Sequence, residues 1–182
     1  MPLNAPNLLT VARVLLIPVL VVALLAGTRT GDYIAAAAFA LGAITDALDG
    51  HIARSRDCVT DFGKLVDPLA DKLLVAAALI LLVTSDTLPV WAAAIIVSRE
   101  VIVTLLRMGA SRRGVVAPAQ PLGKAKTALQ ITMVLVLMIV GSSPLAVNLL
   151  VYAAVALTVI SGGDFVLGLR RRWAARAAQP AS

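Results

Sequence analysis

The sequence predicts an all-α integral membrane protein with six transmembrane helices and both termini cytoplasmic. Three observations carry that prediction. Of 182 residues, 60% are apolar and only 14% charged, with a mean hydropathy of +0.94, against roughly 45–50% and about 25% in soluble domains. Six stretches each supply the ~20 mostly apolar residues that a bilayer-spanning helix needs. The basic residues gather on one side of those stretches. The same composition excludes a water-soluble globule and a disordered tail, and the single Cys58 excludes a disulfide-stapled secreted scaffold. A formal charge of +6 in so apolar a chain marks loops facing an anionic leaflet, not a nucleic-acid surface.

The expected spans lie near 7–26, 33–53, 65–84, 88–107, 122–141 and 147–168. In the first, Arg13 precedes a leucine-rich run ending in small residues, as in a secretory signal; five further spans follow, so its removal is not required. Turn-like residues separate later spans at Thr28–Asp32, Ser85–Leu88 and Gly141–Pro144. Hydrocarbon offers no water to the backbone, so the spans must be helical. No repeat of fixed period occurs, and residues 1–182 read as a single membrane domain with a basic tail from about 170 to 182.

Orientation follows from charge. Arg54, Arg56 and Lys64 lie between spans two and three. Arg107, Arg112, Arg113, Lys124 and Lys126 lie between four and five, and Arg170, Arg171, Arg172 and Arg176 after six. The opposite loops hold Arg29 alone, a bias of twelve to one that places the long polar loops and both termini inside. The tail arginines suit an anionic membrane surface, with Trp173 in the headgroup layer. Tyr33, Trp91 and Tyr152 read as interface or packing residues.

Six of the ten acidic residues fall between positions 46 and 71, at the cytoplasmic ends of spans two and three. Carboxylates at that depth mark a functional site. Asp46 and Asp49 are three apart and Asp67 and Asp71 four apart, so each pair shares a helix face. A helical hairpin can bring the pairs together. Four facing carboxylates repel, and divalent cations remove the conflict. An all-oxygen ligand set points to Mg²⁺ or Mn²⁺; a lone His51 and Cys58 cannot build a zinc site. Surface ion pairs with Arg54, Arg56 and Lys64 account better for Asp57 and Asp61 than for the spaced four.

Magnesium held by a few carboxylates usually shares its other positions with substrate phosphates. Gly50, Ala53 and Gly63 have minimal side chains that would let a ligand approach the helix backbone, although such residues are also common at packed membrane-helix contacts. Arg54 would add a two-pronged phosphate donor.

Asp46-x-x-Asp49-Gly50-x-x-Ala53-Arg54, eight residues, then Gly63-x-x-x-Asp67-x-x-x-Asp71 resembles the full signature of the CDP-alcohol phosphotransferase family. Pro6-Asn7-Leu8-Leu9-Thr10 with Arg13, Arg99-Glu100 with Arg107, and Gly123-Lys124-Ala125-Lys126-Thr127 with Gln130 are similar, more loosely, to the branch that makes phosphatidylglycerophosphate. The resemblance spans roughly residues 4–170. It implies transfer of the phosphatidyl group from CDP-diacylglycerol to the primary hydroxyl of sn-glycerol 3-phosphate, with release of CMP. It implies that Asp46, Asp49, Asp67 and Asp71 ligate a pair of Mg²⁺ or Mn²⁺ ions. Asp71 would also be the catalytic base, and Asp49, Gly50, Ala53, Arg54 and Gly63 would line the CDP site. It also implies a cell-membrane enzyme with its active site facing the cytoplasm, working among membrane lipids, commonly as a homodimer.

The acceptor phosphate needs cations not engaged by the diphosphate. Arg99 lies eight to eleven residues inside a span and requires a partner or a wet cavity. Glu100 is its nearest acid, although neighbours on a helix point about 100° apart. Arg99, Arg107 and Lys124 are therefore the expected acceptor-phosphate residues. Rival readings are a sister enzyme with another acceptor (phosphatidylglycerol giving cardiolipin, inositol phosphate or serine), a longer-chained intramembrane prenyltransferase, and an ion or proton transporter. A transporter predicts acids spread along a mid-membrane path, often within repeats; here they cluster at one face.

Overall fold

The computed structural model describes the backbone of residues 5–56, 61–112, 121–142 and 145–177, and the side chains within 11–45, 72–111, 121–142 and 145–173. Those residues form six helices and no strand: α1 (Ala5–Leu25), α2 (Arg29–Arg56), α3 (Asp61–Thr84), α4 (Val90–Arg112), α5 (Pro121–Val140) and α6 (Leu145–Ala177). Each expected apolar stretch falls on one helix. The shortest has 20 residues, so every helix reaches ~30 Å at 1.5 Å per residue. Pro121–Val140 and Leu145–Trp173 are long and apolar enough to cross a membrane by length and composition; Val11–Leu25 and Lys72–Thr84 are shorter apolar stretches. α4 is less apolar because Arg99, Glu100 and Arg107 sit inside it.

One expected turn is displaced. The chain reverses at residues 26–28, and Thr28–Asp32 is the start of α2, with Thr28 as its cap. Thr28 Oγ1 accepts a hydrogen bond from the Gly31 amide at 3.1 Å, and the Thr28 carbonyl accepts one from the Asp32 amide at 3.0 Å. Capping by a threonine satisfies the orphan amides of a first helical turn. Gly27 closes α1 at φ +60°, a left-handed position that glycine occupies without a side-chain clash. The Ser85–Leu88 turn lies where expected: Leu82 O accepts from the amides of both Thr87 and Leu88 at 2.9 Å.

The chain divides into two compact units, Met1–Pro89 with Val134–Val147 and Val90–Met133 with Asn148–Ser182. In the first, α1 packs on both α2 and α3, and α2 packs on α3. Leu20, Phe39, Leu74, Leu79 and Leu82 form its buried centre. Small residues set the helix spacing. Gly31 leaves no room for a Cβ against the carbonyl oxygen of Ala23, nor does Gly42 against the Leu74 side chain. Such close approach is how membrane helices gain packing where lipid offers no hydrophobic drive.

In the second unit α4 lies along α6. Trp91 stacks on Tyr152 with ring centroids 5.6 Å apart. Further along, Val103 and Ala110 join Phe165 and Leu169 in one buried cluster. The contacts advance in the same direction on both helices, so the two run parallel. Leu15, Val22, Leu25, Ile80, Leu145 and Tyr152 are each more than half exposed. Soluble monomers rarely present so much apolar surface.

Candidate functional site

Asp46, Asp49, Gly50, Ala53 and Arg54 lie in the C-terminal part of α2, and Gly63, Asp67 and Asp71 in the N-terminal half of α3. Their side chains are outside the described residues. What is described is the contact beside them. Gly42, four residues before Asp46, meets Leu74, three residues after Asp71. Only four residues separate α2 from α3, so both helices enter the same connection from a point where they are already closely packed. Arg13 of α1, the last residue of the opening motif, is fully buried.

The second unit holds a polar network inside otherwise apolar helices. Arg99 is the tenth residue of α4. Its Nη1 donates to Glu100 Oε1 at 3.0 Å and its Nη2 to Ser161 Oγ on α6 at 3.0 Å. Lys126 of α5 also donates to Glu100 Oε1. One carboxylate oxygen thus receives two cations from two helices, while Ser161 ties in a third. The expectation that Arg99 and Glu100 are poorly aimed at each other is corrected here. Both side chains are long enough to offset their angular separation on the helix, and Lys126 draws the carboxylate to the same place. Lys126 side-chain exposure is only 4% and that of Arg99 is 15%. Among the described residues, Glu100 is thus the shared anionic partner of two largely buried cations.

The other expected acceptor residues lie elsewhere on the unit. Arg107, two turns beyond Arg99, is exposed and rests its guanidinium over the Phe165 ring, 5.5 Å from the centroid, within cation–π range. Lys124 is exposed on α5. The expected acceptor set did not include Lys126, Ser161 or Gly162, although Lys126 stands in the motif similar to the phosphatidylglycerophosphate-making branch. The spacing of Lys126 and Gln130, one turn apart on one face, is the signal that was present. Gln130 is 4% exposed, and its Oε1 has no hydrogen-bond partner among the described residues. An amide oxygen buried on the same helix face as Lys126 extends the polar lining of this region.

The profile of the CDP-alcohol phosphatidyltransferase family matches residues 3–160. The chain belongs to that family. Curated relatives agree over nearly the whole length. CDP-diacylglycerol–glycerol-3-phosphate 3-phosphatidyltransferase of Bacillus subtilis (strain 168) is 42% identical, over 89% of this chain and 93% of that protein. A Mycobacterium tuberculosis (strain H37Rv) protein named "Probable phosphatidylglycerophosphate synthase" is 42% identical, over 90% of this chain and 80% of its own length. The Pseudomonas fluorescens CDP-diacylglycerol–glycerol-3-phosphate 3-phosphatidyltransferase is 40% identical, over 88% and 84%. The family match runs through both compact units and takes in the aspartate helices and Arg99, Glu100 and Lys126, ending one residue before Ser161.

Proposed function

We propose that this phosphatidyltransferase moves the phosphatidyl group of CDP-diacylglycerol onto the primary hydroxyl of sn-glycerol 3-phosphate, giving phosphatidylglycerophosphate and CMP. The carrying observation is the full aspartate signature on two helices that are close-packed one turn away, at Gly42 and Leu74. The names of the relatives support the acceptor, as do two largely buried cations, Arg99 and Lys126, brought together at Glu100.

Asp46, Asp49, Asp67 and Asp71 form an all-oxygen donor set, which fits Mg²⁺ or Mn²⁺. A pair of such ions, when bound, neutralises charge on the diphosphate and on the leaving oxygen of CMP. Asp71 takes the proton of the attacking hydroxyl. Gly50, Ala53 and Gly63 leave room for the diphosphate, and Arg54 donates to it. Arg99 and Lys126 receive the phosphate of the acceptor. Arg107 and Lys124, both exposed, draw the dianion inward from solution. In this reading the six helices are six membrane spans with both termini and the aspartates at the cytoplasmic face of the cell membrane. Residues 1–182 are read as one membrane domain, and a homodimer is the expected assembly.

The test is purified protein with CDP-diacylglycerol, Mg²⁺ or Mn²⁺ and a panel of acceptors, following CMP release. Glycerol 3-phosphate is expected to support turnover, and a chelator to abolish it. Turnover with phosphatidylglycerol or inositol phosphate in its place would move the protein to a sister branch. Metal flux into vesicles without CMP release would make it a transporter.

A further inference from the structure

We propose that Ser161 and Gly162 of α6 are positioning residues that fix the plane of the Arg99 guanidinium for the acceptor phosphate. The inference rests on Arg99 being an acceptor-phosphate ligand and adds the part of the fold that makes it one.

An arginine side chain carries about 2 kcal/mol of rotamer entropy, and its advantage over lysine lies in a planar fork that must be held to be used. Here the fork is held at both tips. Nη1 is anchored on its own helix by Glu100 and Nη2 on another helix by Ser161, each at 3.0 Å. Two anchors on separate terminal nitrogens define the plane, and each of those nitrogens keeps a second N–H for an incoming oxygen. Ser161 is itself locked. It is 1% exposed, and its hydroxyl donates to the Thr158 carbonyl at 3.1 Å, so its lone pairs are left to face Arg99.

Gly162 supplies the space. A Cβ added there would lie 3.2 Å from Arg99 Cγ and 3.6 Å from Nε. The stem of the arginine thus lies directly on the α6 backbone, and a side chain at position 162 would lift it. Serine and glycine at membrane-helix contacts usually serve packing against apolar neighbours. These two meet the one arginine set deep in α4, one through a hydrogen bond and the other through the absence of a side chain.

The experiment is steady-state kinetics on the full-length protein with each substrate varied in turn, for Ser161→Ala, Ser161→Thr, Gly162→Ala and Arg99→Lys. Loss of one hydrogen bond to a charged group should raise KM for glycerol 3-phosphate about tenfold in Ser161→Ala. KM for CDP-diacylglycerol should stay within about twofold of the parent, since uniform damage to the fold would move both. Ser161→Thr keeps the hydroxyl and should recover most of the loss. Gly162→Ala should raise the same KM roughly fivefold or more, as overpacking forces the stem aside. Arg99→Lys keeps the charge, loses the fork, and should raise it most. If Arg99→Lys leaves that KM unchanged, the ligand role of Arg99 is wrong. If Arg99→Lys raises it but Ser161→Ala and Gly162→Ala do not, or raise both KM values alike, Arg99 stands as ligand and the positioning role falls.

Discussion

The α2–α3 hairpin and the α4–α6 network both place charge in apolar helices, but they do so in opposite ways. The hairpin repeats one sign: acids three and four residues apart on each of two consecutive helices. Like charges at that spacing repel one another, a conflict that the proposed pair of divalent cations would relieve. The network mixes signs. Arg99, Glu100, Lys126 and Ser161 come from three helices, and the Arg99–Ser161 bond closes over 62 residues. Opposite charges there hold each other and need no ligand to exist. The aspartate pattern proposed to receive ions is thus written locally and regularly, while the network that holds itself together is scattered along the chain.

The widest test of that contrast is removal of single carboxylates. A general base contributes ~10²–10⁴ in rate, and a metal ligand several kcal/mol of charge stabilisation. Asp67→Ala and Asp71→Asn are therefore each expected to lower CMP release at least about a hundredfold. Asp71→Asn keeps the shape of the side chain and removes only its capacity to take a proton or bear charge. Turnover near the parent level in Asp71→Asn would strip the hairpin of its chemical role.

The network is sharpened by two lysines that sequence alone does not separate. Lys126 is buried against Glu100, and Lys124 is exposed two residues earlier. Lys126→Gln removes one of two cations from a shared carboxylate and should raise KM for glycerol 3-phosphate roughly ten- to a hundredfold. Lys124→Gln, at a solvated position, should stay within about threefold. Equal effects from the two would mean that burial and the link to Glu100 do not decide which lysine meets the acceptor.

The sequence made the helices legible through length and hydropathy, and the aspartate positions through helical spacing, both local properties. The partners were not legible. Glu100 is adjacent to Arg99, and their angular separation hid a pairing that two flexible side chains and Lys126 complete. Ser161 and Gly162 look like ordinary packing residues until α6 is seen to lie along α4. The start of α2 was misplaced because Thr28 reads equally as a turn residue and as a helix cap, and only the Thr28–Gly31 hydrogen bond separates the two.

The hairpin makes a finer prediction about packing. If the Gly42–Leu74 contact sets the separation of α2 and α3, Gly42→Ala should strain it, since the new methyl group would occupy the place of Leu74 Cδ2. Overpacking of this kind costs about 1–3 kcal/mol, visible as a lower thermal midpoint in detergent. Asp46 and Asp71 lie one turn away, so turnover should also fall, by several-fold at most. Leu74→Ala alone opens a cavity at a residue only 2% exposed and should cost roughly 2–5 kcal/mol. The double variant puts back a methyl group where it removed an isobutyl chain, so it should lose less stability than the two single losses combined. A double-mutant cycle measures that difference, with coupling of about 0.5–3 kcal/mol expected for residues in contact. Simple additivity would show that the helices take their spacing from elsewhere, and that the aspartates owe nothing to this contact.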